Sequence, residues 1–124
     1  GEASVDASVA VTLQAHVSVD RLAAQDRYRT AVEIARHGES LGLSWKGAGL
    51  ASGTDFPDAL AGGAAQGSRG SLLLLTNPLA LSEPTAAEVQ RKAPAIGSLR
   101  VYGGMNTITY PVRRDVADIL RMVP

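Results

Sequence analysis

The sequence contains no cysteine. This excludes a disulfide framework and any metal held by thiolates. Aromatic residues are scarce, with one Trp, one Phe and three Tyr, so the interior has to be aliphatic and built from small side chains. No apolar run approaches the ~18 residues that a bilayer-crossing helix requires, so no membrane span is expected. Charge of one sign is also missing: Lys plus Arg is 12 and Asp plus Glu is 12. Without a basic footprint, nucleic acid is not an expected partner. No strand is followed by G-x-G-x-x-G, and there is no G-x-S-x-G elbow. Neither a nucleotide cofactor nor an esterase triad is therefore expected.

What remains is a chain of 124 residues, 45% hydrophobic, with 20 alanines. The length suits one domain that buries enough surface to need no staples. Basic residues are ten Arg against two Lys. Arg suits bidentate capture of carboxylate or phosphate, and GC-rich coding produces the same bias. The chain begins with Gly1 rather than Met, as expected for a part processed or excised from a longer protein.

Along the chain, Val5, Val9, Val11, Leu13, Val17 and Val19 alternate loosely and predict one or two strands within an N-terminal extension, residues 1–20. Residues 26–42 predict a helix capped by Asp26 and stopped by Gly42. A short strand over 47–53 leads into a helix with Pro57 in its first turn. SLLLLT, residues 71–76, is apolar on both faces, which implies a parallel sheet covered by helices. A helix over 82–93, a strand over 99–104 and a helix whose stripe is Val112, Val116, Ile119 and Leu120 complete the pattern. Strand and helix alternate about four times. The expected fold is α/β: a three-layer Rossmann-like or toprim-like sandwich with a mostly parallel sheet of about four strands, flanked by helices and joined by right-handed crossovers.

Four ordered blocks carry a family resemblance: RLAAQDRYRTAVEIA (21–35), LASGTDFPDALAGGAAQ (50–66), LLLLT (72–76) and VYGGMNTITYPVRRDV (101–116). Together they resemble the cell-wall-binding repeat 2 family, with residues 21–124 as a single module. Ala24 stands where the family has a glycine. The resemblance implies a non-catalytic unit of Gram-positive surface proteins, located in the cell wall or on the cell surface. Such units anchor their parent non-covalently to an anionic wall polymer and pack three together, so sister repeats or a homo-oligomer, a trimer, are the implied partners. The alternative is a structural or oligomerisation unit without polymer affinity of its own.

If the sheet is parallel, Ser52, Gly53 and Asp55, then Thr76 and Asn77, then Gly103, Gly104 and Asn106 gather at one edge, where open α/β sheets bind ligands. This edge is the expected site of polymer binding or of packing between units. Arg21 and Arg27 would supply charge to a polymer; alternatively Arg27 forms an internal ion pair, for example with Asp58. Asp55 and Asp58 would cap the amides of the following helix. A magnesium site of the toprim kind would need further carboxylates at later strand ends. Asn77, Gly103 and Gly104 stand there instead, so neither a metal nor a catalytic site is expected. Trp45 is placed in a loop, as a cap on the core edge or a sugar platform. Arg113 and Arg114 are read as solvated partners of Asp115 or Asp118, and Thr30 as bonded to a carbonyl one turn back.

Overall fold

A computed structural model describes residues 1–121. The last three residues of the expected module, 122–124, lie outside the described residues. The helices are α1 (Ala7–Gln14), α2 (Arg27–Ser40), α3 (Phe56–Gly67), α4 (Glu83–Lys92) and α5 (Tyr110–Arg121), with a 3-10 turn at Ala93–Ala95. The strands are β1 (Ser44–Ser52), β2 (Ser71–Thr76) and β3 (Arg100–Tyr102). They form one parallel sheet in the order β2-β1-β3, so α3 and α4 are the crossovers and β1 is central. The α/β class and the parallel sheet agree with the sequence reading. The sheet has three strands among the described residues, not four.

The difference lies at the N-terminus, where the predicted strand or strands are replaced by α1. Val5, Val9 and Leu13 recur every four residues, so the same valines that alternate loosely also stack along a helix. Local bonds select the helix: Asp6 accepts the Ser8 N–H at 2.8 Å, and Thr12 Oγ1 donates to the Ser8 carbonyl at 2.9 Å. No residue of α1 is buried.

Strand period divides the remaining side chains between two layers. Leu50, Leu72 and Leu74 face α2, α4 and α5 and close a core with Val32, Ala35, Val89, Ile108, Val112 and Val116. On the opposite face α3 lies against the sheet, with Gly62 beside Leu73 and the Tyr102 ring. Burying each leucine of this core contributes about 1.5–3 kcal/mol.

β1 is irregular in its first half. Ser44 pairs with Ser71 while Gly49 pairs with Leu73, so β1 advances five residues where β2 advances two. The bulge turns Trp45 inward beside Leu50, although strict alternation would put residues five apart on opposite faces. Trp45 is therefore a core residue of β1, 3% exposed, and neither a loop residue nor a sugar platform. Lys92 Nζ lies 5.7 Å from its ring centroid. The backbone freed by the bulge is served by buried Gln66. Its Nε2 donates to the carbonyls of Gly47 (2.6 Å) and Leu72 (2.9 Å), and its Oε1 accepts the Tyr102 hydroxyl (2.9 Å).

Between α2 and α4 sits Glu88, 1% exposed. Arg36 donates to it through Nε (3.2 Å) and Nη2 (2.8 Å), and Arg91 donates from the next turn of α4. Burial by itself would raise the Glu88 pKa, but the hydrogen bonds from Arg91 and Arg36 outweigh it and hold the carboxyl below the usual glutamate range.

Candidate functional site

Because the three strands run the same way, Ser52, Thr76 and Tyr102 end on one rim. Ser52 and Thr76 are register partners, and the Gly53 N–H extends the ladder to the Thr76 carbonyl at 2.8 Å. Ser52 is 1% exposed, and its Oγ accepts the N–H groups of Thr54 (3.1 Å) and Asp55 (3.2 Å). This hydroxyl shapes the turn into α3, whose own first amides the sequence reading assigned to Asp55 and Asp58. Asp55 stands at the N-cap of α3 but makes no side-chain capping bond there. Asp58 turns toward the third loop: its Oδ2 lies 2.6 Å from the position a Cβ on Gly103 would occupy. Gly103 has φ of +110°, so glycine is required there by both conformation and space.

Arg27 does not pair with Asp58. Its Nη1 donates to the Gly53 carbonyl at 2.6 Å, which ties the first turn of α2 to the end of β1. Tyr28 supports the same junction, since a Cβ on Gly53 would stand 2.5 Å from its ring. Arg21 turns away from the rim and donates to the carbonyls of Val5 (2.8 Å) and Asp6 (3.3 Å). Thr30 Oγ1 accepts the Ala24 N–H at 3.0 Å, so this hydroxyl fixes the loop before α2 and is not spent on a helix carbonyl.

The second loop is internally bonded. Asn77 receives the Leu79 N–H on Oδ1, and its own N–H donates to Ser82 Oγ, both at 2.9 Å. Thr76 Oγ1 accepts the Ser82 N–H at 3.0 Å. Gly104 and Asn106 are exposed on the third loop.

Sequence reasoning missed the residue that organises this third loop. Arg113 Nε donates to the Ile108 carbonyl (2.8 Å), and its Nη2 donates to those of Gly103 (2.8 Å) and Gly104 (3.1 Å). Arg114, its neighbour, makes the expected solvated pair with Asp115 at 2.9 Å. The two differ in burial, Arg113 being half-buried beside buried Val112 and Arg114 exposed. Thr109 joins the second and third loops by bonding the Pro78 carbonyl through its N–H (3.0 Å) and hydroxyl (2.8 Å).

Beside the rim, a cleft of about 650 Å³ opens between the start of α2 and the β1–α3 turn, lined by Asp26, Arg27, Ser52, Gly53, Asp55 and Ala59 among others. Asp26 is engaged as the α2 cap, accepting the Arg29 N–H at 2.8 Å. That backbone bond, followed by the Arg29 side chain, keeps its pKa below the usual aspartate range. Among the described residues no group of three or more His, Asp or Glu side chains is placed to hold a metal ion.

This geometry defines a small parallel α/β unit that presents its strand-end loops together on one rim, the usual ligand-facing edge of such sheets. The chain belongs to the cell wall binding domain 2 family, whose model it matches over residues 21–113. It is thus a cell-wall-binding module. Among solved structures it is similar to Cwp8 from Clostridium difficile, with 24% identity and a TM-score of 0.74. That match covers 98% of this chain and 19% of Cwp8, so the chain spans about a fifth of that protein's length. The likeness establishes the fold. No curated protein sequence matches the chain.

Proposed function

We propose that this module retains a parent surface protein on a Gram-positive cell wall by binding an anionic wall polymer at the strand-end rim, without catalysing a reaction. The supporting observation is Arg27. Its guanidinium lines the cleft and is in no ion pair among the described residues, and only its Nη1 is engaged by protein. Gly53, Gly103 and Gly104 let a polymer chain approach backbone closely. Asp55 and Asp58 share the rim, so one unit carries little net positive charge and a single contact is weak. Retention then depends on several units on one body, each raising the effective concentration for the next. Of the residues assigned to this rim by sequence, Arg21 contributes only to its N-terminal surroundings.

The test is sedimentation of the purified domain with cell wall, native or stripped of its secondary polymer. The expected result is retention on native wall that falls with added salt and with Arg27→Gln. Equal retention on stripped wall overturns the proposal.

A second reading has its own support. Between α2 and α3, along the outer edge of β2, runs an apolar groove of about 440 Å³ lined by Ala31, Ile34, Leu43, Ala59, Leu73 and Leu75. Ile34 is 51% exposed there. Such a surface fits packing against a sister unit, in a Rossmann-like or toprim-like assembly that is structural first. A stable oligomer in light scattering that ignores wall material favours this reading over the first.

A further inference from the structure

The opposite end of the sheet carries a second polar cleft, of about 440 Å³, at the N-terminal ends of the strands. Its lining includes Lys46 from β1, Arg69 from the turn before β2, Arg100 from β3, and the serines Ser71 and Ser98; no acidic residue lines it. We propose that this cleft binds a phosphate group.

Gly47 provides the cradle. At the point a Cβ on Gly47 would occupy, Arg100 Nη1 lies 3.0 Å away, Ser71 Oγ 3.8 Å and Ser98 Oγ 3.9 Å. Side-chain polar atoms thus converge on a place that the sequence leaves empty. The two hydroxyls differ in role. Ser71 Oγ donates to the Ser44 carbonyl at 2.9 Å and is fixed as part of the wall. Ser98 Oγ has no hydrogen bond among the described residues and is free to donate. Its backbone is held in place, because the N–H groups of Gly97 and Ser98 both donate to the Lys46 carbonyl, at 3.1 and 2.9 Å.

Charge points the same way. Arg29, Arg36, Arg91, Lys92, Arg114 and Arg121 all sit in ion pairs with Asp or Glu. Among the described residues Arg21, Arg27, Lys46, Arg69, Arg100 and Arg113 form none, and three of these six, Lys46, Arg69 and Arg100, line this one cleft. Arg100 spends Nη1 on a long bond to the Gly47 carbonyl (3.3 Å), and Arg69 spends Nη1 on the Ala65 carbonyl (2.9 Å). Their remaining N–H groups are available. A chain with zero formal net charge therefore concentrates three unpaired cations around one cleft. Cations arriving from three separate elements suit a tetrahedral anion with charge on several oxygens, where guanidinium forks and a hydroxyl each take one. The length of β2, whose first and last residues pair with those of β1, separates this site from the rim by roughly 17 Å. The inference is therefore independent of the polymer-binding reading.

The site is tested by backbone amide NMR of the domain at constant ionic strength, with inorganic phosphate in one arm and poly(glycerol phosphate) in the other. The expected result is saturable shifts at Gly47, Gly97 and Ser98. Arg100→Gln weakens binding about tenfold, the loss of one charge-assisted contact, while Arg121→Gln leaves it unchanged. Gly47→Ala fills the cradle with all charges kept and also abolishes the shifts. The spectrum of each variant reports whether it is folded, and Lys46→Gln with Arg69→Gln gives the same loss by a second route. Tighter binding of the polymer identifies a wall phosphodiester as the source, and equal binding of both identifies free phosphate. Arg27→Gln leaves this titration intact even if it ends wall retention. Absence of saturable shifts, or equal losses in Arg100→Gln and Arg121→Gln, overturns the proposal.

Discussion

Tyr102, the last residue of β3, donates its hydroxyl to Gln66 Oε1 at 2.9 Å across the sheet face covered by α3. The bond orients a buried amide whose other end serves the carbonyls of Gly47 and Leu72. The bulge in β1 is thus stabilised by a residue from the following helix, and that residue is aligned by the strand on the far edge.

The two partners should differ in cost when removed. Tyr102→Phe deletes one hydrogen bond and leaves Gln66 Oε1 unpaired, about 1 kcal/mol. Gln66→Leu strands the buried Leu72 carbonyl and the Tyr102 phenol and leaves the Gly47 carbonyl only its long bond from Arg100, about 3 kcal/mol. Urea unfolding with unchanged slope checks both. Equal costs would mean that the amide does not support the bulge.

Acid should loosen the α2–α4 contact first. The Glu88 pKa is held below its unfolded value, so the stabilisation it provides is fully present above about pH 4.3 and is lost as pH falls through the lower folded value. Glu39 acts in the same direction, held down first by its bond to Lys92 at 2.5 Å. Glu88→Gln should cost about 1–3 kcal/mol at neutral pH, because both guanidiniums keep water contact, and should flatten the acid limb of stability. Chemical denaturation at a series of pH values reads both effects.

The rim is expected to be intolerant of methyl groups. Gly53→Ala pushes a Cβ into the Tyr28 ring, and Gly103→Ala combines unfavourable φ with collision against the Asp58 carboxylate. Each should cost about 1–3 kcal/mol in thermal unfolding. Gly104→Ala, with open space around it, should be close to neutral.

Arg113 should act on loop order more than on global stability. Arg113→Gln removes donors from three carbonyls, so amide exchange between Gly103 and Ile108 should accelerate while the core strands stay protected. Arg114→Gln, which breaks only an exposed pair, should change neither.

Deleting residues 1–17 should shift unfolding free energy by less than about 0.5 kcal/mol, since α1 has no buried residue. A larger loss in denaturant titration would show that the N-terminal segment is part of the folded unit.

Much of this architecture was legible because period and turn chemistry agreed. SLLLLT at 71–76 is β2 residue for residue, and Asp26 and Gly42 bound α2 as read, with Gly42 at φ +98°. Where two patterns coexist, legibility ended. Val5, Val9 and Leu13 satisfy both strand-like alternation and a four-residue spacing, and local bonds from Asp6 and Thr12 decide. Trp45 was misplaced because a bulge breaks the period that locates a strand. In the rim, strand ends and glycines were foreseeable from topology. The partners of Arg27 and Arg113 were not, since both are backbone carbonyls and leave no trace in residue type.

The parallel sheet has one more consequence. With every strand pointing the same way, the peptide links divide into two sets that never mix, one at each pole of the molecule. An insertion after Gly53 or Gly104 lengthens the first pole alone and leaves the turns at Arg69 and Ser98 undisturbed. A change in what one pole touches therefore leaves the other pole's turns in place.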